Sequence, residues 1–342
     1  MHNEQENSES GVRGGGSLIS VVVPSYNEQE VLPEFYRRLR AVLDDLSYSC
    51  EIVFVNDGSG DGTLAAMLKW HGEDPSVAVI DLSRNFGKEI AMSAGLDHTN
   101  GDAVIVIDAD LQDPPELIPK LIEQWEAGFD NIYAKRTVRE GETIFKKKTA
   151  SWFYRLIQRV GNVRIPEDTG DFRLLSRRAV DSLSKLREQH RFMKGLFTWI
   201  GYPSKAVLYR RDPRGAGESK WNYWKLWNFA LEGITSFSIL PLKIATYAGL
   251  TTAVAAFIYG FKVIYTTLVF GDPVAGYPTL MVVILFLGGI QLMGLGIVGE
   301  YLGRMFDETK RRPLYFVNRY SPARIREQLR NDKVGKVVAA GS

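Results

Sequence analysis

Short apolar runs alternate with stretches of helical periodicity from Leu18 onward, which is the pattern of a wound α/β sheet. Each run ends in a turn rich in Pro, Asn, Asp, Gly or Ser. Because ligands of such sheets bind at the carboxyl ends of the strands, the residues directly after the runs are the candidates for chemistry. The runs that predict strands are Leu18–Val23, Glu51–Val55, Val77–Leu82 and Ala103–Ile107.

Two longer apolar stretches predict transmembrane helices in the last third of the chain. Ile244–Phe261 carries no charged residue and its apolar character continues to Phe270, and the second stretch is Tyr277–Gly299. Each is long enough to cross a hydrocarbon core of about 30 Å. The loop between them lacks Lys and Arg, whereas a basic cluster follows the second stretch. This asymmetry predicts that both termini and the α/β domain lie on the cytoplasmic side of a bacterial inner membrane.

A segment before the first apolar stretch combines aromatic and basic residues. Trp221, Trp224 and Trp227 alternate with Lys220 and Lys225, which is typical of an amphipathic helix in a membrane interface. A core helix of the soluble domain is the alternative. The predicted order is a disordered tail (1–17), an α/β domain (18–215), an interfacial helix region (216–241), two transmembrane helices (242–304) and a cytoplasmic tail (305–342).

Composition and charge narrow the class of protein. Charged residues make up 24% of the chain with a net charge of +2, and they become sparse after about Pro241. The single cysteine, Cys50, lies in an apolar run, which excludes a disulfide framework and indicates a reducing compartment. The residues through Ser17 are polar and Gly-rich, which argues against a cleaved secretory signal. We predict no nucleic-acid partner.

Two carboxylates emerge together from the end of the fourth predicted strand, at Asp108 and Asp110. Hard oxygen ligands in this place suit Mg²⁺ or Mn²⁺, which would bridge the phosphates of a donor and neutralise a leaving diphosphate. Taken alone, the triplet Asp108-Ala109-Asp110 is equally compatible with a solvated turn or a helix cap. The prolines that follow begin a helix and would keep Gln112 and Asp113 near the metal, which favours the metal site.

The turns after the other strands complete a candidate nucleotide site. Asp57 could accept hydrogen bonds from a nucleobase or ribose, and a cap for the helix from Thr63 is its alternative role. The turn after the first strand could close over the same nucleotide, with Lys88 after the third strand as a cation near the phosphates. The contact candidates in the first turn are Pro24, Tyr26, Asn27 and Glu28.

The order of these motifs resembles glycosyltransferase family 2, and within it the polyprenyl-phosphate branch. The resemblance covers nearly the whole chain. It is carried by Val23–Glu28, Asn56–Ser59, Arg84–Lys88, Asp108–Pro114, Gly170–Leu174, Phe192–Gly195, Lys225–Asn228, Glu232–Phe237 and Gly299–Arg304.

The resemblance implies a GT-A fold and an enzyme that uses a UDP-sugar, most simply UDP-glucose, with undecaprenyl or another polyprenyl phosphate as acceptor. It also implies Mg²⁺ or Mn²⁺, attachment to the bilayer, a homo-oligomer that could be a tetramer, and a role in modifying O-antigen or another cell-envelope glycan. The implied reaction inverts the anomeric configuration without a covalent enzyme intermediate.

The resemblance also implies roles for particular residues. Asp57 would bind the uridine, Asp110 the metal and diphosphate, and Asp171 would be the catalytic base on the acceptor side. A phosphate monoester has a second pKa of about 6, so much of the acceptor is already a dianion at neutral pH. Asp171 is therefore also a candidate for orienting phosphate-binding groups such as Arg173.

Cations must gather where two phosphorylated substrates meet. We favour Arg173, Lys194 and Lys220 for the acceptor phosphate, the last because it directly precedes the predicted interfacial helix. The wider set of candidates is Lys88, Arg136, Arg173, Arg177, Lys194, Arg210 and Lys220.

Three other classes of protein fit less well. A processive polysaccharide synthase would carry a Q-x-x-R-W motif and more membrane helices than the two predicted here. A membrane scaffold or flippase subunit would not need three carboxylates at Asp108, Asp110 and Asp171, and two spans without a charge pair offer no transport pathway. A dinucleotide-dependent oxidoreductase would carry G-x-G-x-x-G after the first strand, where this chain has Pro24–Glu28.

Overall fold

The computed structural model describes residues 17–137, 169–209, 240–270 and 276–325. These residues fall into two compact units. The first comprises the described residues through Tyr209 and those from Pro313 onward, and the second comprises 240–270 and 276–312. The predictions for residues 1–16, for Arg210 and Lys220, and for the interfacial helix lie outside the described residues.

Strands and helices alternate along the first unit, as predicted, and all four predicted strands are present. In chain order the elements are β1 (Leu18–Ser25), α1 (Leu32–Asp44), β2 (Ser49–Asn56), α2 (Thr63–Glu73), β3 (Val77–Leu82), α3 (Lys88–Asp97), β4 (Ala103–Val106), a 3₁₀ turn (Pro115–Leu117), α4 (Ile118–Glu126), β5 (Asn131–Arg136), β6 (Thr169–Ser176), α5 (Arg177–Leu183), α6 (Met193–Trp199), β7 (Ser204–Tyr209) and β8 (Val317–Ser321).

The described strands form one mixed sheet in the order β7-β5-β6-β4-β1-β2-β3-β8. Strands β4, β1, β2 and β3 are parallel neighbours, so their carboxyl ends meet at one edge. Strand β6 runs antiparallel to β4, with Val106 opposite Arg173. The start of β6 therefore comes to the same edge at which β4 ends.

Helices cover both faces of the sheet, and for this reason its central strands are continuous apolar runs. On one face, Leu32, Phe35 and Leu39 of α1 pack against alternate residues of β1 and β2. On the other face, α3 packs against β1 at Gly95. The two elements lie so close there that a Cβ added at Gly95 would collide with Val22. Side chains alternate between the faces of a strand, so Val21 and Val22 meet different helices.

The C-terminal segment contributes a strand to this sheet, which the sequence did not predict. We assigned residues 305–342 to a tail, but β8 pairs antiparallel with β3, with Ile80 opposite Tyr320 and Asp81 opposite Arg319. The run from Val317 is polar and mostly exposed, and β8 is an edge strand that pairs on one side only. It therefore lacks the apolar pattern that identifies a buried strand.

The second unit contains two long helices, α7 (Leu240–Phe270) and α8 (Tyr277–Thr309). Both are long and apolar enough to cross a membrane, with candidate spans at Pro241–Lys262 and Phe286–Thr309. Large apolar side chains such as Leu268 and Phe270 are exposed on them. The two predicted membrane-crossing helices are therefore present as long apolar helices.

Candidate functional site

Two acidic side chains and one basic side chain meet at the carboxyl edge of the sheet. Lys88 begins α3, and its Nζ lies 2.6 Å from Oδ2 of Asp108 and 2.5 Å from Oδ2 of Asp171. Asp108 follows β4 and Asp171 lies near the start of β6, which the antiparallel pairing of these strands brings together. The ammonium thus bridges two carboxylates that are distant in sequence. We call these three residues the charge bridge.

The charges of the bridge stabilise one another. Burial disfavours the charged form of Lys88, but the carboxylates of Asp108 and Asp171 outweigh burial and raise the pKa of Lys88 above its usual range. Burial would likewise raise the pKa of Asp171, but Lys88 and Lys194 hold that pKa well below its usual range. For Asp108, burial dominates and raises the pKa to about 6 despite Lys88. Asp171 therefore stays ionised to lower pH than Asp108 does.

One carboxylate oxygen of Asp171 is buried without a hydrogen-bond partner among the described residues. This atom is Oδ1, whereas Oδ2 contacts Lys88. Leaving a buried carboxylate oxygen unpaired costs free energy, so such a group usually awaits a ligand or water.

The turn after β4 adds a third carboxylate. Asp110 Oδ1 accepts a hydrogen bond of 3.1 Å from the backbone N of Gln112, and Leu111 between them takes a left-handed φ of 58°. The charge of Asp110 contributes to raising the pKa of Asp108, so the two carboxylates are close enough to interact, and their metal-binding role stays a prediction. Gln112 itself is buried at the base of this turn.

Asp113, which we expect near the metal, has protein partners of its own. It is buried, accepts a hydrogen bond from the Tyr209 hydroxyl, and has its Oδ1 4.0 Å from Nη2 of Arg136. Arg136 also donates to the Tyr209 hydroxyl at 3.3 Å. Asp113 and Arg136 thus anchor the turn to β5 and β7.

The candidate nucleotide turns after β1, β2 and β3 are joined by hydrogen bonds. Asp57 is buried, and its two oxygens accept from the backbone N of Phe86 at 2.7 Å and of Gly87 at 2.9 Å. Burial raises the pKa of Asp57 although these amides oppose the shift. The alternative role as a helix cap is wrong, because Asp61 accepts from Thr63 N at 3.0 Å instead.

The turn after β1 is held against the turn after β2. Asn27 has a left-handed φ of 54°, and its Oδ1 accepts a hydrogen bond of 2.9 Å from Gly60 N. The backbone N of Glu28 donates to Thr63 Oγ1 at 2.9 Å. Pro24 is buried within β1, whereas the side chain of Tyr26 is exposed. Of the first-turn candidates, Tyr26 and Asn27 are exposed and Glu28 is half-buried.

A polar cavity of about 200 Å³ lies beside the charge bridge. Arg173, in β6, is buried with its guanidinium 3.7 Å from the centre of the Phe197 ring, and it donates to the carbonyl oxygen of Gly170 at 3.2 Å. Burial lowers the pKa of Arg173 to about 10, so it remains charged at neutral pH. The side chains that line the cavity include two cations, Arg173 and Lys194, and no acid. The lining residues are Asn131, Tyr133, Thr169, Arg173, Lys194, Thr198 and Ser204.

Arg177, another candidate for phosphate binding, points elsewhere. It donates to the carbonyl oxygen of Gly101 at 2.8 Å and to Thr99 Oγ1 at 3.2 Å, just before β4 begins. Because β6 runs antiparallel to β4, its last residues lie at the edge opposite to the charge bridge. The candidacy of Arg177 is therefore wrong.

Comparison with known proteins agrees with this geometry. Residues 20–184 match the model for Glycosyl transferase family 2, and residues 240–305 match a model described as the GtrB C-terminal hairpin. A prophage bactoprenol glucosyl transferase homolog of Escherichia coli is 52% identical over 301 residues, covering 88% of this chain and 98% of that protein. The chain belongs to glycosyltransferase family 2.

Two other relatives give the same picture. An uncharacterized glycosyltransferase of Synechocystis is 52% identical over 300 residues, covering 88% of this chain and 94% of the relative. A bactoprenol glucosyl transferase of Shigella phage SfX is 52% identical over 299 residues, covering 87% of this chain and 98% of that protein. This glycosyltransferase therefore has a GT-A domain followed by a helical hairpin, as the resemblance implied, and the non-catalytic alternative is set aside.

Sequence reasoning missed one acidic residue of the glycosyltransferase site. Glu89 follows Lys88 in the first turn of α3, and its Oε2 accepts a hydrogen bond of 3.0 Å from Met193 N. Burial and the nearby charge of Asp171 raise the pKa of Glu89 to about 7. Its place directly after Lys88 was the available signal, because the start of a helix at the sheet edge faces the ligand.

The close contact between two nucleotide turns makes Gly58 sensitive to substitution. It has a φ of 66°, and an added Cβ would lie 2.5 Å from backbone atoms of Arg84 and Asn85. We expect Gly58→Ala to lower the Tm by about 5–10 °C through strain and overpacking. Gly60→Ala, where a Cβ has no neighbour within 4 Å, should leave Tm unchanged. Equal Tm values for the two variants, measured in detergent, would contradict this packing.

Proposed function

We propose that this glycosyltransferase transfers one hexose, most simply glucose from UDP-glucose, to the phosphate of a polyprenyl carrier. The observation that carries the proposal is the 52% identity to bactoprenol glucosyl transferases, which extends over 98% of the SfX protein. The match to the GtrB hairpin model at residues 240–305 supports a lipid acceptor, because the hairpin is long and apolar enough to lie in a membrane.

The proposal includes a divalent ion held by Asp108 and Asp110. Among the described residues no group of three or more His, Cys, Asp or Glu side chains surrounds a common point. The two carboxylates of Asp108 and Asp110 fit Mg²⁺ or Mn²⁺, because Mg²⁺ is usually bound through one or two carboxylates together with substrate phosphates and water. When bound, the ion would neutralise negative charge on the leaving diphosphate.

The reaction we propose is a single displacement with inversion. A phosphate oxygen of the acceptor forms a bond to the anomeric carbon while the bond from that carbon to the diphosphate oxygen breaks on the opposite face. Asp171 stays ionised and fixes Lys88 beside the metal-binding turn. We assign Asp171 to orientation of Lys88 and of the acceptor rather than to removal of a proton, since the acceptor is largely deprotonated already. Much of the rate would then come from positioning.

We assign the acceptor phosphate to the polar cavity beside the charge bridge. Arg173 and Lys194 bring two positive charges to its wall, and Lys194 is close enough to Asp171 to lower its pKa. Lys220, which lies outside the described residues, remains part of this proposal. Phosphate binding by paired cations is stronger than by one, because each charged hydrogen bond adds to the affinity.

Lys194→Ala is expected to raise the KM for the polyprenyl phosphate about tenfold while the KM for the nucleotide sugar changes less than about twofold. Steady-state kinetics with each substrate varied in turn measure this difference. Lys205→Ala removes a lysine that lies over Phe129 outside the cavity and serves as the control. Equal increases in both KM values for Lys194→Ala would contradict the assignment.

The proposal further includes the cytoplasmic face of a bacterial inner membrane as the location, with both termini cytoplasmic, and a homo-oligomer, with a tetramer as the first candidate. The loop charges of the hairpin and the single buried Cys50 support the orientation. The oligomer rests on the family resemblance.

The donor is tested by nucleotide release from the purified chain in detergent. A panel of UDP-, GDP- and dTDP-sugars is incubated with and without undecaprenyl phosphate, and with Mg²⁺, Mn²⁺ or EDTA. We expect release that requires both lipid and divalent ion and that is fastest with UDP-glucose. Release that is independent of lipid, or the lack of release with every donor, would count against the proposal.

A further inference from the structure

The C-terminal strand β8 is connected to the candidate nucleotide turn by a chain of side-chain hydrogen bonds. Asn318 Nδ2 donates to Asp81 Oδ2 at 2.8 Å, and Asn56 Nδ2 donates to the other oxygen, Oδ1, of Asp81 at 2.7 Å. Asn56 Oδ1 in turn accepts from Ser59 N at 3.2 Å. The chain of contacts thus runs from β8 across β3 to the turn that holds Asp57.

A backbone contact reinforces this connection. Ser83 N, just after β3, donates to the carbonyl oxygen of Phe316 at 2.9 Å. Ser83 begins the loop whose amides at Phe86 and Gly87 hold both oxygens of Asp57. The segment around β8 therefore holds the turn after β2 and the loop after β3.

The energetics favour a positioning role for Asn318 over an incidental contact. Asp81 is buried, at 7% exposure, and a buried carboxylate must be hydrogen-bonded to avoid a large desolvation cost. Asn56 satisfies one oxygen and Asn318 the other. If Asn318 is lost, Oδ2 of Asp81 loses its partner, and rotation of the carboxylate toward a new partner would strain its hydrogen bond to the closely packed Asn56, which is 1% exposed.

We infer that Asn318 is a positioning residue for the donor nucleotide, which acts through Asp81 and Asn56 on the turn that contains Asp57. This inference rests on the proposed function, in which that turn binds the uridine of the donor. The strand that follows the helical hairpin would thereby complete the nucleotide site, although none of its residues lies in the family 2 match at residues 20–184.

The first test compares wild type with Asn318→Ala in the full-length chain. We expect the Kd for UDP, measured by calorimetry with Mg²⁺, and the KM for UDP-glucose to rise about 5- to 20-fold, while kcat and the KM for polyprenyl phosphate change less than about twofold. Arg319→Gln, the next residue on the strand and exposed, is the matched control and should behave as wild type.

A charge exchange separates positioning from a general loss of stability. Asn318→Asp sets two carboxylates against each other and should weaken UDP binding more than Asn318→Ala does. Adding Asp81→Asn restores an amide facing a carboxylate, and its Oδ1 can still accept from Asn56. The double variant should regain most of the UDP affinity that the single Asn318→Asp variant loses.

The outcomes distinguish this inference from the proposed function. If wild type binds no UDP, both fail. If wild type binds UDP and Asn318→Ala binds it equally well, only the positioning role is overturned. Equal losses in the KM values for donor and lipid, or no recovery in the double variant when its Tm matches that of wild type, would also overturn it.

Discussion

Asp171→Asn is expected to lower kcat by about 10²–10³ while the Kd for the nucleotide sugar changes little. Asparagine keeps the shape of the side chain but removes the charge that, with Asp108, holds Lys88 between two carboxylates. Lys88 then pairs with Asp108 alone, on the metal-binding turn. The cation is thereby withdrawn from the acceptor side.

The pH profile of this variant separates the two roles of Asp171. The pKa of Asp171 is held well below its usual range, so its carboxylate is charged throughout about pH 6–9 and contributes no change in rate there. The loss in kcat should therefore be the same at every pH in that range. A loss that shrinks as the pH rises through about 6, where the acceptor phosphate becomes a dianion that needs no base, would instead identify Asp171 as the base. Asp181→Asn, an exposed acid that pairs with Arg177, is the control.

Asp110→Ala is expected to remove nearly all divalent-ion dependence and to lower kcat/KM by about 10³. Asp110 interacts with Asp108 on the turn after β4, and the leaving diphosphate would lose its counterion when this carboxylate is absent. Rates measured against Mg²⁺ and Mn²⁺ concentration test the expectation. Glu116→Gln, which breaks only an exposed pair with Arg38, should retain the wild-type dependence.

The same titration contains the contradicting result. If Asp110→Ala keeps the wild-type dependence on Mg²⁺ at a reduced rate, the ion is held elsewhere and Asp110 serves another purpose. If the divalent-ion dependence of Glu116→Gln is lost as completely as that of Asp110→Ala, the turn is sensitive to any change of charge. No metal role could then be assigned to Asp110 from this titration.

The sequence predicted the central sheet because its strands are buried on both faces. Such strands appear as short continuous apolar runs that end in turn residues, as β1 and β3 do. Strand β8 shows neither feature. It is an edge strand whose residues are mostly exposed, and it pairs with β3 across more than two hundred residues of chain, so no local pattern indicates it.

The sequence also predicted several candidate residues of the site, but it did not predict which of them contact one another. A residue after a parallel strand must lie at the ligand-binding edge, which is why Asp57 and Asp108 could be identified. The contact of Lys88 with Asp108 and Asp171 depends on β6 running antiparallel to β4. Arg177 was mistaken because this direction, which carries the end of β6 to the opposite edge, is not encoded in its local sequence.

The identity of the product tests the central claim most directly. The full-length chain in detergent is incubated with UDP-[¹⁴C]glucose, undecaprenyl phosphate and Mg²⁺, and the organic phase is examined by mass spectrometry. We predict a labelled lipid whose mass equals the polyprenyl phosphate plus a single hexose, absent with Asp110→Ala. Label that stays in the aqueous phase while UDP is released, or a lipid-free polymer of hexoses, would contradict transfer to the lipid phosphate.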